Sequence, residues 1–340
     1  MRSSGTLLCL ASAAAFGAMA VFGKLAYEEG ATVGTLLSVR FALAAVLLWA
    51  LVVARGLARG LPRRDVAAGL AVGAGGYALQ SGCYFAALER IDAGLLSLLL
   101  YTFPALVAGA AIVLGRERAD RRRLTALGVA LAGLALVVAG AGAGALEPAG
   151  VALGLTAAVL YATYILVSAG LAGRVPPLAL TALVCTGAAA SLAVGSAVLG
   201  TLRPGALTGA GWGWIACLAL VSTVGAIGLF FAGLRRAGPT AASILSTVEP
   251  LTTVVLAFLV FGETLSLVQW AGGALVLAAV VLLAAPSQGP LSGLMGRAHL
   301  RRGSSLPCRS LAPIPRSATS TSPTPAGCSP PSTTSVSGGG

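Results

Sequence analysis

The chain has 340 residues, of which 57% are hydrophobic and only 9% are charged. An average soluble domain carries roughly 25% charged residues, so this composition excludes an ordinary water-soluble fold. The formal net charge of +12 would suit a nucleic-acid partner. The basic residues, however, lie in short loops between apolar runs and form no basic face with interleaved aromatic residues, so we expect no nucleic acid to bind.

Ten apolar stretches of about 20 residues follow one another along the chain. A helix of that length crosses the hydrocarbon core of a bilayer, about 30 Å thick, at a rise of about 1.5 Å per residue. Because the loops are short, we predict an all-α integral membrane protein with ten transmembrane helices, in which neighbouring helices are antiparallel. The stretches cover residues 7 to 26, 34 to 54, 66 to 86, 93 to 115, 124 to 142, 149 to 169, 177 to 199, 211 to 234, 240 to 262 and 266 to 285.

The two ends of the chain differ from its middle. Arg2 precedes an apolar run that ends near Ala18-Met19-Ala20, a pattern that also fits a cleaved signal peptide. We favour a first membrane helix, because the repeat described below gives it a partner. Residues 286–340 are rich in Ser, Pro, Thr and Gly, with five Arg and no acid, which predicts a disordered cytoplasmic tail.

The distribution of Lys and Arg predicts the topology. With the N-terminus in the cytoplasm, 18 basic residues fall in cytoplasmic segments and only 3, Lys24, Arg90 and Arg203, fall in external ones. Positive charge is retained on the cytoplasmic side of membrane proteins. We therefore predict a multi-pass protein of the cell membrane with both termini cytoplasmic.

The two halves of the chain are similar to each other. A shift of 146 positions superposes ten identical pairs, including Pro104 with Pro250 and Glu117 with Glu263. This predicts two five-helix units, residues 1–142 and 143–285. Because five is odd, the second unit enters the membrane upside down, which is the inverted-repeat architecture of many secondary transporters.

Each half has a proline in its fourth stretch, Pro104 and Pro250. Proline cannot donate a hydrogen bond to the carbonyl four residues earlier, so we predict a helix kink at each position. The carbonyls of Leu100 and Ser246 are then released, and in a membrane they need the bundle interior, water or a ligand. A packing kink without function is the alternative.

Motif residues in both halves resemble a known family, the EamA-type transporters of the drug/metabolite transporter superfamily. The resemblance covers residues 7 to 285. The residues that carry it are Glu249-Pro250, Phe261-Gly262-Glu263-Thr264-Leu265, Gln269 and Gly272 in the second half, and Arg40-Phe41, Pro104, Gly115, Glu117, Gly128 and Gly133 in the first.

The resemblance implies a ten-helix bundle whose central cavity is lined by stretches 1, 3, 4, 6, 8 and 9, and the export of small metabolites or toxic compounds. The resemblance does not establish that the tenth stretch packs closely, because Ala279 stands where the family commonly has glycine. Cys185 or Thr186 stands at the counterpart of Arg40, so the two halves are chemically unequal.

Glu249 is the strongest candidate for a functional side chain. It lies ten residues after Pro239, about 15 Å into the membrane, near its middle. An acid at that depth costs several kcal/mol unless it faces water, is protonated or pairs with another group. We expect it to bind a cationic or amino group of the substrate or to cycle a proton. A structural acid, hydrogen-bonded to neighbouring helices or paired with Arg40, is the alternative.

The other charged residues of the apolar stretches have more ordinary interpretations. Arg40 lies within about 10 Å of the external headgroups, so we expect a side chain that snorkels or has a structural role, with the binding of an anionic substrate group as the alternative. Lys24 is nearer the surface and is interpreted as an interface anchor. Glu117 and Glu263 precede the fifth and tenth stretches, where a negative charge opposes the helix dipole favourably.

Polar and aromatic side chains recur at helical spacing. Tyr77, Gln80 and Tyr84 share one helix face, which indicates an amphipathic cavity wall. Interface belts for Tyr, and contacts between helices for Ser and Thr, are the alternatives. The predicted substrate-binding residues are Glu249, Tyr101, Ser246, Thr247, Ser243, Tyr77, Gln80, Tyr161, Tyr164 and Phe16.

Signals for metals, cofactors and catalysis are missing from the sequence. The six cysteines have no CxxC spacing and the single histidine, His299, lies in the tail, so we expect no metal. Residues 17 to 24 lack the spacing of a phosphate loop, so we expect no nucleotide cofactor.

These observations predict a secondary active transporter that exports small organic solutes by alternating access, with proton coupling through Glu249. Uptake or exchange is the alternative within transport, since sequence does not set the direction of flux. An intramembrane lipid-modifying enzyme would need clustered acids or histidines near one membrane face, so we expect no enzyme. The expected partners are a small-molecule substrate and membrane lipids, and a homodimer is left open.

Overall fold

The computed structural model describes residues 2–116, 119–140 and 147–284, with the side chains of residues 2, 3, 239 and 240 left aside. Glu117 and the tail predicted at 286–340 lie outside these ranges. Within them, all regular secondary structure is helical.

The helices follow the predicted stretches closely, with several interruptions. Two π-helical segments, Val72–Tyr77 and Leu220–Gly225, each connect two α-helices without a loop. A short 3-10 turn covers Pro204–Ala206. The α-helices are α1 (Arg2–Gly17), α2 (Met19–Glu28), α3 (Val33–Ala54), α4 (Arg63–Ala71), α5 (Ala78–Leu88), α6 (Ala93–Leu100), α7 (Phe103–Val113), α8 (Arg121–Ala139), α9 (Pro148–Ala172), α10 (Pro177–Val198), α11 (Gly209–Ala219), α12 (Ala226–Ala237), α13 (Pro239–Leu245), α14 (Val248–Phe261) and α15 (Leu267–Ala284).

Nine helical runs in the described part of the chain are long and apolar enough to cross a membrane. The third predicted stretch, helical from Arg63 to Leu88, is not among them, and its glycines and Gln80 make it less apolar. The nine runs are Ser4–Glu28, Val33–Ala54, Ala93–Val113, Arg121–Ala139, Pro148–Ala172, Pro177–Val198, Gly209–Ala237, Ala241–Phe261 and Leu267–Ala284.

Local sequence explains where several helices begin and end. Thr32, Asp120 and Thr208 precede α3, α8 and α11, and the side-chain oxygen of each accepts a hydrogen bond from the backbone N–H three residues later. These bonds satisfy N–H groups that have no partner within the helix. Gly262 ends α14 with φ of 68°, a backbone conformation that glycine adopts without steric cost.

Contacts among loops and helix ends define two ends of the bundle. The first, which we name the lysine end, holds Lys24–Glu263, Thr208–Glu29, Thr32–Thr201 and Arg90–Glu147. The second, which we name the arginine end, holds Arg174–Asp65 and the bond from the Arg122 side chain to the Leu282 carbonyl.

A close helix crossing joins α8 to α15 through two glycines. A Cβ atom added to Gly133 would lie 2.7 Å from the Gly272 carbonyl oxygen, and one added to Gly272 would lie 2.6 Å from that of Gly133. Ala279, where the packing was left open, is fully buried in a cluster with Ala105 and Ala130. The last helix therefore packs closely without the glycine that is common at that position.

Replacement of Gly133 by alanine tests this crossing. The new methyl group would collide with backbone atoms of α15, so we expect Gly133→Ala to lower the free energy of unfolding by about 1–3 kcal/mol. Thermal melting of the purified protein in detergent measures the effect.

The control lies on the same helix. A Cβ atom on Gly128 meets nothing within 4 Å, so Gly128→Ala should leave stability unchanged or raise it by up to about 1 kcal/mol through helix propensity. Equal melting temperatures for the two variants would contradict the proposed role of the crossing.

Candidate functional site

A cavity of about 720 Å³ lies among the helices. Nine of the ten predicted substrate-binding residues line it: Glu249, Tyr101, Ser246, Ser243, Tyr77, Gln80, Tyr161, Tyr164 and Phe16. Thr247 does not line it, and its hydroxyl donates to the Ile244 carbonyl at 2.7 Å. The volume is that of a site for a small organic molecule.

The helix that carries Glu249 is broken beside the cavity. α13 ends at Leu245 and α14 begins at Val248, with Glu249 and Pro250 in its first turn. The first half has the same break, since α6 ends at Leu100 and α7 begins at Phe103. Both prolines thus lie in the first turn after an interruption of the helix, and the kinks at Pro104 and Pro250 stay predictions.

The break gives Glu249 a hydrogen-bonding partner. The Tyr101 hydroxyl contacts the Ser246 carbonyl and lies 3.1 Å from Oε2 of Glu249. A hydroxyl has one hydrogen, so it donates to only one of these oxygens at a time. Ser246 also accepts from the backbone N–H of Glu249 at 3.0 Å. The carbonyl predicted to be released by Pro250 therefore has two partners at the cavity wall.

Aromatic rings form one wall of the cavity. Successive ring centroids are 5.8 Å apart from Tyr101 to Phe103, 4.6 Å from Phe103 to Tyr161, 6.0 Å from Tyr161 to Tyr164 and 5.1 Å from Tyr164 to Tyr77. This row of rings, which we name the aromatic wall, presents flat apolar surfaces with polar hydroxyls. Such a surface can stack planar groups and also donate hydrogen bonds.

Arg40 lies at the cavity and does not snorkel. Its side chain is 2% exposed, its Nε donates to Thr223 Oγ1 at 3.1 Å, and no ion pair joins it to Glu249. Snorkelling and the Arg40–Glu249 pair are therefore wrong, whereas a structural role of Arg40 stays a prediction. The depth of Arg40 along α3 does not determine where its side chain lies, because that depends on which face of the helix carries it.

Lys24 and Glu263 meet at the lysine end. Their side chains form an ion pair, and the Lys24 ammonium lies 5.6 Å from the Phe261 ring centroid. Glu263 also accepts from the Gly94 backbone N–H at 3.3 Å, in the first turn of α6. The helix dipole that Glu263 faces is thus that of α6 and not that of the tenth stretch, a contact between distant segments that sequence spacing does not reveal.

Sequence reasoning missed several residues of the cavity. Ser222 and Thr223 lie in the π-helical segment Leu220–Gly225, and Met19 follows the interruption between α1 and α2. A Ser-Thr pair in the middle of an otherwise apolar run was the available signal. Among the described residues, no group of three His, Cys, Asp or Glu side chains could hold a metal ion.

Comparison with known proteins identifies the family. The model of the EamA-like transporter family matches the chain twice, over residues 3–139 and 148–285. The chain belongs to this family. The resemblance seen in its sequence motifs is therefore confirmed, and the protein is a multi-pass membrane protein of a transporter family rather than of an enzyme family.

Two relatives carry the same general description. An "Uncharacterized transporter" of Archaeoglobus fulgidus is 30% identical over 206 residues, which cover 60% of this chain and 72% of the relative. The "Uncharacterized transporter YcbK" of Bacillus subtilis is 26% identical over 278 residues, which cover 79% of this chain and 89% of the relative.

A protein of known crystal structure has a similar fold. It is similar to 88% of this chain and 99% of its own, with a TM-score of 0.59 and 21% identity. At that level of identity the similarity concerns the fold alone.

The Tyr101 hydroxyl can be tested by Tyr101→Phe, which keeps the ring and removes the bond to Ser246 or Glu249. A lost buried hydrogen bond costs about 1–2 kcal/mol, so we expect a lower melting temperature in detergent. Tyr161→Phe is the control, because no hydrogen bond from the Tyr161 hydroxyl is present in the described residues and its ring stays in the aromatic wall. If both variants melt like the unsubstituted protein, the Tyr101 bond does not stabilise the broken helix.

Proposed function

We propose that the protein is a secondary active transporter that exports small organic solutes by alternating access. The observation that carries the proposal is the Glu249 carboxyl group in an aromatic-walled cavity of about 720 Å³. An ionisable group inside a membrane protein is costly and commonly marks a substrate pathway or a proton relay. Glu249 would bind a cationic or amino group of the solute, or carry a proton in exchange for it.

The proposal includes ten membrane crossings, with Arg63–Leu88 as the crossing that composition alone does not identify. The loop contacts support this count. Asp65 at the start of that run contacts Arg174 at the arginine end, whereas Arg90 just after it contacts Glu147 at the lysine end. A helical run that begins at one end of a bundle and finishes at the other is placed to cross the membrane.

We further propose that residues 1–142 and 143–285 are inverted repeats. Interruptions of the helices at similar places support this: shifted by 146 positions, Val72–Tyr77 overlaps Leu220–Gly225, and the break after Leu100 falls within one residue of that after Leu245. The pairing of π-helical segments is notable because such segments are rare. In alternating access, two inverted halves exchange their conformations, so that a fixed binding site opens first to one side of the membrane and then to the other.

The orientation in the cell membrane follows from the arginine end. This end holds the loops with Arg55, Arg59, Arg63 and Arg64, and with Arg121, Arg122 and Arg123. Since cytoplasmic loops retain positive charge, we place this end and both chain termini in the cytoplasm. Exposed apolar side chains such as Val113 and Leu267 would then face lipid.

Substitution of Glu249 tests its role in transport. A thermal-shift screen of amino acids, nucleosides and cationic drugs against the purified protein selects a solute, since a ligand that binds only the folded state raises its stability. Flux of that solute is then measured in proteoliposomes over a range of pH. We expect Glu249→Gln to reduce solute flux by at least tenfold and to remove the pH dependence of that flux. The amide group cannot take up and release a proton, and it cannot form an ion pair with a cationic group of the solute.

Glu28→Gln is the matched control, since it makes the same chemical change at an exposed position of α2. We expect it to transport normally. Flux of Glu249→Gln that equals the control at every pH would exclude a coupling role for this residue.

Topology is tested by labelling single cysteines in a cysteine-free background. Glu28 is the last residue of α2 and Gly173 follows the last residue of α9, at opposite ends of the bundle. We expect an impermeant thiol reagent added to intact cells to label Glu28→Cys and not Gly173→Cys, and to label both after permeabilisation. Labelling of both positions in intact cells would contradict the inverted arrangement.

A further inference from the structure

The positive charge of Arg40 is buried at the cavity among neutral partners only. Besides the bond to Thr223, its Nη2 lies 3.1 Å from Met19 Sδ. The guanidinium carbon lies 4.9 Å from the ring centroid of Phe41 and 5.4 Å from that of Phe85. Rings stabilise a cation in part, but a guanidinium offers more N–H donors than these contacts use.

No negative charge compensates Arg40 in the part of the chain that the structure describes. The ion pairs found there join other residues, and the Glu249 carboxyl bonds to Tyr101. A guanidinium stays protonated in proteins, so it cannot escape the cost of burial by losing its charge. A buried charge of this kind is costly unless another group pairs with it.

Ser222 provides a second observation at the same place. It is fully buried and lines the cavity, and its Oγ has no hydrogen-bond partner within the described ranges. The Oγ atoms of Ser38 and Ser168 are also buried without a partner, but neither residue lines the cavity. Ser222 is adjacent in the chain to Thr223, which already holds Arg40, and a buried hydroxyl without a partner is costly.

We propose that Arg40 and Ser222 form a subsite that binds a carboxylate group of the transported solute. A guanidinium presents parallel N–H donors that fit the two oxygens of a carboxylate, and the Ser222 hydroxyl, which lines the same cavity, would supply a further donor. The subsite rests on the proposed function, since the solute must enter the cavity. It restricts that function to solutes with an anionic end, and the aromatic wall that runs from Tyr101 to Tyr77 favours those with a planar body.

Equilibrium binding of two matched probes tests the subsite. The anion 3-phenylpropionate and its neutral amide, 3-phenylpropionamide, share one ring and one chain length, and isothermal titration calorimetry on the full chain in detergent measures both. We expect the unsubstituted protein to bind the anion at least about tenfold more tightly than the amide. Arg40→Gln should abolish this preference.

A second variant, Ser222→Ala, tests the subsite without removing the buried charge of Arg40, so the outcome does not depend on whether Arg40→Gln folds. We expect it to weaken binding of 3-phenylpropionate by about tenfold, while the melting temperature without probe stays the same or rises, because an unpaired buried hydroxyl is removed. Ser38→Ala is the matched control, since it also removes a buried hydroxyl without a partner but one that does not line the cavity. Its affinity for both probes should be that of the unsubstituted protein.

The results separate the subsite from the proposed function. The absence of a preference for the anion in the unsubstituted protein, through equal binding of the probes or binding of neither, overturns the subsite. An equal loss of affinity in Ser222→Ala and Ser38→Ala also overturns it. A protein that prefers the anion through Arg40 and Ser222 but moves no solute in proteoliposomes supports the subsite and contradicts the proposed function.

Discussion

The structure depends on one constraint, which is that polar groups inside a membrane need partners within the protein. In a regular helix the backbone N–H and C=O groups bond to one another, so none is left for a ligand. A broken helix leaves some of these groups without a partner and is tolerated only where it lines a cavity or is buried in protein. Here two breaks and two π-helical segments contribute residues to the same cavity. Glu249, Arg40, Ser222 and Tyr101 lie on or beside these irregular segments, so the cavity and the interruptions of the helices depend on each other.

The two halves match in backbone but differ in side chains. Under the shift of 146 residues, Phe103 corresponds to Glu249 and Leu100 to Ser246, so one half contributes apolar groups where the other contributes polar ones. Arg40 likewise has only neutral counterparts, Cys185 or Thr186. The family model that matches both halves accounts for their common framework, whereas the side chains in which they differ account for the chemistry of the cavity. A symmetric cavity would present each polar group twice, whereas this one presents different groups to different parts of a solute.

Much of the fold could be predicted from the sequence, because the length of an apolar run is set by the thickness of the membrane. The site residues on one helix face, Tyr77 and Gln80, could be predicted as well, because helical spacing is local. The position of Arg40 could not, because its depth in the membrane does not reveal which neighbours its helix face meets. Nor could the contact of Glu263 with Gly94, which joins segments 169 residues apart. The π-helical segment at Ser222 has no local sequence signal and depends on how neighbouring helices pack.

The contact of Lys24 with Glu263 has a consequence for how the lysine end could open. An apolar seal exposes hydrocarbon to water when it separates, and that cost grows with the area exposed. A seal made of opposite charges behaves differently, because each ion recovers hydration when the two part. The open and closed forms of this end would then lie close in free energy, and a solute that binds with modest strength would be enough to tip the balance between them.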